Sequence, residues 1–281
     1  MNSPQGSTTL DQATYWNEGG GRRWVSNLDA VERMLQPLAE ELSRLAAPLP
    51  GERVIDVGCG GGVTSRAMAQ AVGPTGEVVG LDVSAVILDV ARARHAGLSQ
   101  LRFVLGDAAS VELPNAQYDL IASRFGVMFF PAPVAAFAHL RSLLRPEGRL
   151  RFICWQPLVL NPWMGVPADA AFTVLPRPAP SAPNTPGPFG LANQDFLRGV
   201  LLDAGFTGLE IERHTCALDL GPLDDAVEQM TRMGPAAPLF DEADAATREK
   251  VVKAIREALL PSLREGRVWM DSNTWKVSAR A

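Results

Sequence analysis

Cysteine, histidine, tyrosine and any strong excess of one charge are all scarce in this chain of 281 residues. The three cysteines, Cys59, Cys154 and Cys216, lie far apart. They form no CxxC metal pair and no disulfide framework, which suits a reducing cytosol. The three histidines, His95, His139 and His214, are equally scattered, so no metal site is expected. Twenty-six Lys and Arg against 31 Asp and Glu give a net charge of −5, with no general attraction to nucleic acid or an anionic membrane. The most apolar stretch, 125–138, contains Pro131 and Pro133 and is too short to span a bilayer. Residues 1–10 have neither a basic start nor an apolar run, so a signal peptide is not expected. With 47% hydrophobic and 20% charged residues, the chain is neither disordered nor a coiled coil. A soluble, cytoplasmic protein, monomeric or homodimeric, is the expectation.

What is present is alternation. Short β-branched or apolar runs at 53–57, 77–81, 101–105, 118–123 and 150–155 are separated by amphipathic segments at 63–72, 85–95 and 134–144. Ser84 is placed to cap the second helix and Gly97 to end it; the third follows Pro133 and stops before Pro146. This predicts an α/β fold with a parallel sheet and helices on both faces. Upstream, 28–46 reads as a helix with Val31, Leu35, Leu38, Leu42 and Leu45 on one stripe, kinked by Pro37. The segment 15–24 holds Trp16 and Trp24 around Gly19, Gly20 and Gly21 and reads as a glycine-hinged arm. Beyond Trp155, nine prolines make 156–190 an insertion with little regular structure, yet Trp163, Met164, Phe172 and Phe189 make it too apolar for a solvated tether. A packed lid is expected. Helices at 193–204, 223–233 and 241–264 and strands at 209–220 and 273–279 complete the pattern. The expected organisation is an arm at 1–50, a core at 51–155, a substrate cap at 156–192, and the rest of the core at 193–281 with a helical insertion at about 221–271.

The strongest local signal is Val54-Ile55-Asp56-Val57-Gly58-Cys59-Gly60-Gly61-Gly62, between the first strand and its helix. Glycines permit positive φ and close approach to a ligand, and the helix N-terminus offers free N–H groups. The dinucleotide fingerprint GxGxxG is imperfect: its third glycine falls on Val63 counting from Gly58, or on Ser65 counting from Gly60. The spacing is Asp-x-Gly-x-Gly-x-Gly. Two more acids follow at strand ends. Asp82 can accept from both hydroxyls of a ribose, and Asp107 from an adenine amino group. A ligand with an amino group, a sulfonium and a ribose suits three carboxylates better than a pyrophosphate does.

Asp56–Gly62, Asp82, Gly106-Asp107 and Tyr118-Asp119-Leu120-Ile121 resemble the successive motifs of class I S-adenosylmethionine-dependent methyltransferases, in the small-molecule, ubiquinone/menaquinone-like branch. The resemblance is close over 51–155 and looser beyond. It implies a Rossmann-like, mostly parallel seven-stranded sheet with the last strand antiparallel, and S-adenosyl-L-methionine as cofactor. It further implies that Asp56 and the backbone of Gly58, Cys59 and Gly60 hold the methionine end. Asp82 would hold the ribose, Val83 would flank the adenine, Asp107 and Ala108 would hold its amino edge, and Ser123 would lie beside the methionine amino group.

Methyl transfer from a sulfonium is an in-line displacement that needs alignment and dryness more than an acid or base, so no catalytic residue is singled out. Phe125-Gly126-Val127-Met128-Phe129 resembles the quinone methyltransferase stretch Phe-Gly-Leu/Ile-Arg-Asn but puts Met128 and Phe129 at the polar pair. A more apolar acceptor is implied, with Trp16, Trp24, Met128, Phe129, Trp155 and Trp163 as candidate substrate residues. The expected activity is methylation of O, N or C of a small apolar or aromatic metabolite, of the secondary-metabolism kind. An NAD(P)-dependent oxidoreductase and a non-catalytic S-adenosylmethionine-binding protein remain as alternatives.

Overall fold

The computed structural model describes residues 12–114 and 116–281; residues 1–11 of the expected arm lie outside the described residues. Four helices come first: α1 (Gln12–Asn17), α2 (Gly19–Ser26), α3 (Leu28–Met34) and α4 (Gln36–Ala46). The expected kink at Pro37 is a full break. Pro37 occupies the first turn of α4, where its missing N–H has no partner to lose, and Leu35 separates the two helices. The expected glycine hinge is also corrected, because Gly19–Ser26 is helical. Gly20 and Gly21 serve close packing: a Cβ on Gly21 would lie 1.9 Å from the Trp16 carbonyl oxygen, and one on Gly20 would lie 2.5 Å from the Tyr15 ring.

The α/β alternation follows as β1 (Arg53–Val57), α5 (Val63–Val72), β2 (Glu77–Asp82), α6 (Ala85–Arg94), β3 (Leu101–Leu105), β4 (Tyr118–Arg124), α7 (Pro133–Leu143) and β5 (Leu144–Trp155). Ser84 caps α6 by accepting from the Ile87 N–H. Segment 156–190 is more regular than its prolines suggest, since it contains α8 (Pro162–Ala171). Pro162 starts that helix, and Trp163, Pro167, Ala168 and Ala171 form one buried stripe that holds it despite the internal Pro167. Then come α9 (Gln194–Asp203), β6 (Thr207–Pro222), α10 (Leu223–Arg232), α11 (Ala237–Glu242), α12 (Ala245–Leu259), the two-residue β7 (Leu263–Arg264) and β8 (Arg267–Arg280). The single long helix expected at 241–264 is thus divided, with Asp244 capping α12.

The sheet runs β3-β2-β1-β4-β5-β8-β6, with β7 paired to β8. β1 to β5 are mutually parallel, and β8 is antiparallel to both of its neighbours. The fold is the expected Rossmann-like one. Central strands are buried on both faces. Val54, Val78, Leu120 and Ile153 pack with Leu42 and Met68, while Ile55, Val79, Ile121 and Phe152 pack with Phe137, Leu140 and Leu201. Strand order reverses between β1 and β4, which opens a crevice at their C-terminal ends. Both insertions, 156–193 and 223–266, leave the sheet from that same edge. No described helix is long and apolar enough to cross a membrane.

Asn161 fastens the first insertion. Its amide donates to the Gln156 carbonyl (2.9 Å) and its Oδ1 accepts from the Asn273 N–H (2.8 Å), with Asn161 itself at 0% exposure. Asn161→Ala should lower unfolding free energy by about 1–3 kcal/mol, since it removes the partners of the buried Gln156 carbonyl and the part-buried Asn273 N–H; a urea melt measures this, and a smaller change would mean the insertion is held elsewhere. At the opposite edge, Glu52 takes a bidentate bond from Arg149 (2.6 and 2.7 Å) and one from the Leu49 N–H. Burial pushes Glu52 up, but these donors outweigh it and hold the carboxyl below its ordinary 4.5. This stability exists above the unfolded pKa and is lost as pH falls through the lower folded one. The destabilisation caused by Arg149→Ala should therefore be largest at neutral pH and shrink below about pH 4.5, as read by urea melts across that range.

Candidate functional site

The site is built on two backbone turns that touch. Gly58, at the end of β1, has φ +66, and a Cβ on it would sit 2.5 Å from the Gly126 Cα. A Cβ on Gly126 would sit 2.5 Å from the Val57 carbonyl oxygen. Only glycine at both places lets the turns after β1 and β4 close on each other. Gly60 and Gly62 also have positive φ. The loop is further pinned by His95, whose Nε2 lies 3.0 Å from the Gly61 carbonyl oxygen.

Three acids stand at the ends of β1 and β2 and just past β3, in order of increasing exposure. Asp56 is fully buried; its Oδ2 accepts from Thr64 Oγ1 and Ser65 Oγ at 2.6 Å each, while its Oδ1 has no partner. Asp82 is partly buried, and its oxygens accept from the N–H groups of Gly60 (2.9 Å) and Ser84 (3.0 Å). Each oxygen keeps a lone pair for a further donor. Burial pushes both carboxyls upward, opposed by these same hydrogen bonds. Asp107 is exposed and ties its own turn by accepting from the Ala109 N–H (2.8 Å); Ala108 beside it is buried.

Cys59 is buried, and burial raises its thiol well above the ordinary value, so it is inert as a nucleophile. The Ser123 hydroxyl is committed to the frame, donating to the Val57 carbonyl (2.8 Å) and accepting from the Gly126 N–H (3.1 Å) at 0% exposure. Val83 follows Asp82, and its carbonyl accepts from Asn17 Nδ2 (2.8 Å).

The candidate substrate residues fall into two groups. Trp16 makes edge contacts with Trp24 (5.8 Å) and Phe129 (5.6 Å). Trp24 reaches the glycine loop, its Nε1 3.8 Å from where a Cβ on Gly60 would be. Trp155 stacks on Phe125 (4.1 Å, 11°) and meets Trp163 at 5.1 Å. Phe125 has φ +72, a strained conformation for an aromatic residue, at the very end of β4. Met128 is buried in the main core and joins neither aromatic group; its carbonyl accepts from the Gly187 N–H (3.1 Å).

Sequence reasoning missed two contributors. Asn17 brackets the turn after Asp82, donating to Val83 and accepting from the Ala85 N–H (2.9 Å), while Ser84 Oγ donates to the Trp16 carbonyl (2.6 Å). These bonds seat α1 and α2 over the ends of β1 and β2. The second is Arg124, the last residue of β4, whose charge at the end of the apolar run Leu120-Ile121-Ala122 was the available signal. Among the described residues, no cluster of His, Cys, Asp and Glu can hold a metal ion.

Comparison with known proteins fits this geometry. Residues 54–148 match the family described as "Methyltransferase domain". The chain is 36% identical over 117 residues to nocamycin O-methyltransferase of Saccharothrix syringae, covering 41% of this chain and 42% of that one. It is 33% identical over 118 residues to aklanonic acid methyltransferase DauC of Streptomyces sp. strain C5, covering 41% and 54%. Demethylmenaquinone methyltransferase of Staphylococcus aureus is 34% identical over 98 residues, 35% of this chain and 41% of that one. The match thus spans about half the length of these curated relatives, or less. In fold, the chain is similar to phosphoethanolamine N-methyltransferase 2 of Haemonchus contortus (TM-score 0.57, 15% identity, 99% of this chain and 61% of that one). It is also similar to YcgJ of Bacillus subtilis (TM-score 0.56, 14% identity, 87% and 98%). Residues 54–148 are thus similar to a methyltransferase domain, and the whole described chain shares its Rossmann-like fold with the solved structures.

Gly126→Ala tests the frame. The methyl group meets backbone on both sides, so we expect about 1–3 kcal/mol of destabilisation and weakened S-adenosylhomocysteine binding in calorimetry. Gly165→Ala is the control, because its Cβ would find nothing nearer than 3.6 Å. Equal behaviour of the two variants would show that the Gly58–Gly126 contact is dispensable.

Proposed function

We propose that this protein transfers the methyl group of S-adenosyl-L-methionine to O, N or C of a small, largely apolar or aromatic metabolite. The observation that carries this reading is Asp82: a strand-end carboxylate fixed by two backbone N–H groups, one of them from the glycine loop, with a lone pair left on each oxygen. That geometry suits a ribose diol. The orphaned Asp56 Oδ1 and the room at Gly60, where a Cβ would find nothing nearer than Trp24 Nε1 at 3.8 Å, suit the amino-acid end of the same cofactor. Asp107 and Ala108, beside β3, suit the adenine edge, with Val83 against its face.

Bound S-adenosylmethionine supplies an activated methyl on a good leaving group, so the chain's own task is placement and exclusion of water. Trp16, Trp24 and Phe129 form one apolar wall and Phe125, Trp155 and Trp163 another, both at the active edge. The S-adenosylmethionine reading is favoured over a nicotinamide one because Val63 and Ser65 occupy the positions where the dinucleotide fingerprint needs its third glycine. The small-molecule acceptor is supported by the names of the two first relatives and by the pairing of basic residues: Arg145 with Asp119 and Arg149 with Glu52 leave little free positive surface there.

Calorimetry with S-adenosylhomocysteine and with NAD(H) tests the cofactor, and binding of NAD(H) alone overturns the proposal. Asp82→Ala should weaken S-adenosylhomocysteine binding by about 1.5–3 kcal/mol, the scale of hydrogen bonds to a charged group, while the fold persists. An unchanged affinity would make Asp82 a turn residue only. A metabolite-extract screen with a labelled methyl donor identifies the acceptor, and no label transfer under conditions of tight cofactor binding favours a non-catalytic binding protein.

A further inference from the structure

Among the described residues, two buried side-chain polar atoms have no hydrogen-bond partner: Asp56 Oδ1 and Trp163 Nε1. The first belongs to the acid at the glycine loop. The second is an indole N–H on the first turn of α8, in a residue only 4% exposed. Burial does not by itself leave an indole unpaired in this core. Trp275, equally buried, donates from Nε1 to the Ala192 carbonyl at 2.8 Å. A phenylalanine at 163 would fill much of the same space with no donor to satisfy, so the unpaired Trp163 N–H is a cost to the fold.

Trp163 borders a cavity of about 30 Å³ between the two insertions. Met164 and Ala168 of α8 line it from the first insertion; Met230 of α10, with Met233 and Ala236 just beyond that helix, line it from the second. No lining residue is charged, and the indole N–H is the only side-chain donor among them. A water there would find one side-chain partner, where buried water makes two to four hydrogen bonds. The three methionines bring unbranched, polarisable side chains that adapt their packing to the edge of a ring. The wall of this cavity is joined to the active edge through aromatic rings. Trp163 meets Trp155 at 5.1 Å, Trp155 stacks on Phe125, and Phe125 directly precedes the glycine that packs on Gly58. A space of this size takes about one or two non-hydrogen atoms, the end of a metabolite and not the whole of it.

We propose that this cavity seats the oxygen-bearing end of the methyl acceptor, with the Trp163 indole N–H donating to that oxygen. The inference rests on the methyl-transfer reading and narrows it. The acceptor is apolar along its body, neutral at this end, and carries a carbonyl or other accepting oxygen there. A carboxylate or phosphate end does not fit, because no cation lines the cavity to replace its lost hydration. Trp163 then sets specificity: a buried donor left unpaired penalises any analogue that lacks the accepting atom. Both insertions contribute to the lining, so neither makes the site alone.

The test uses an isosteric pair of probes, acetophenone and α-methylstyrene, which differ by a carbonyl oxygen against a methylene. In a nitrogen–proton correlation spectrum of the full chain, the Trp163 indole resonance is the one that Trp163→Phe removes. Acetophenone should move it downfield to saturation, and α-methylstyrene should bind about tenfold more weakly and cause no such shift. Trp163→Phe should bring the two affinities, read from the ligand signals, within about threefold of each other. Ala168→Leu fills the cavity; it should cut transfer of labelled methyl to a metabolite extract by about tenfold or more and leave S-adenosylhomocysteine affinity within about threefold. A Trp163 resonance that acetophenone leaves in place overturns the inference alone, as does unchanged methyl transfer by a folded Ala168→Leu. If Ala168→Leu does not fold, the acetophenone titration of the unaltered protein decides by itself. Failure of the unaltered protein to bind S-adenosylhomocysteine or to transfer label overturns the methyl-transfer reading, and the acceptor role of the cavity with it.

Discussion

Everything at the active edge depends on two peptide turns without side chains pressed together at the point where strand order reverses. The Gly58–Gly126 contact sets the distance between the ends of β1 and β4, and the Ser123 hydroxyl bridges the same two strands at Val57 and Gly126. From that fixed spacing follow the placement of Asp56 under the loop, of Gly60 against Asp82, and of Phe125 against Trp155. The positive φ of Phe125 fits this account. The chain must turn sharply to bring Gly126 into contact, and the stacked Trp155 ring holds an aromatic residue in a conformation it would otherwise avoid, at an expense of about 1–3 kcal/mol.

The three acids form a gradient rather than a repeat. Asp56 is sealed, Asp82 is half-sealed by backbone donors, and Asp107 is open to water. Electrostatic interactions strengthen as water is excluded. The charged end of an extended ligand would therefore be read at Asp56, and its neutral hydrogen-bonding groups at Asp82 and Asp107. The first helices complete this arrangement. Asn17 and the Trp16 carbonyl hydrogen-bond the turn directly after Asp82, so the first helices are attached to the same turn that presents that carboxylate.

Sheet and glycine loop were legible in the sequence because their signals are local. Apolar runs such as Val54-Ile55 and Leu120-Ile121 mark the strands, and Asp56-x-Gly58-x-Gly60-x-Gly62 marks the turn between a strand and its helix. What was not legible depends on tertiary contact. Pro162 and Pro167 argue against a helix by propensity, yet the Trp163–Ala171 stripe is held by burial against the rest of the core. Gly19, Gly20 and Gly21 look like a hinge, but Tyr15 presses on Gly20 and Trp16 on Gly21, within a helix. Arg124 is an ordinary charged residue in sequence; its surroundings come from Asp56 in β1, Glu32 in α3 and the Leu35 carbonyl between α3 and α4, which only the folded chain brings near it.

The position of β8 has a consequence for how the molecule comes into being. β5 is an inner strand of the finished sheet, yet the partner on its outer side is the last strand of the chain, and Leu150 must wait for Ala279 across well over a hundred residues. During synthesis, β5 and then the sixteen-residue β6 emerge with ladder groups unpaired, and neither can reach its final neighbour until β8 arrives between them. Such long-range pairing slows folding and leaves sticky edges exposed in the meantime. The charged, outward-facing Glu210, Glu212 and Arg213 along β6 discourage the waiting edge from pairing with another chain before β8 is made.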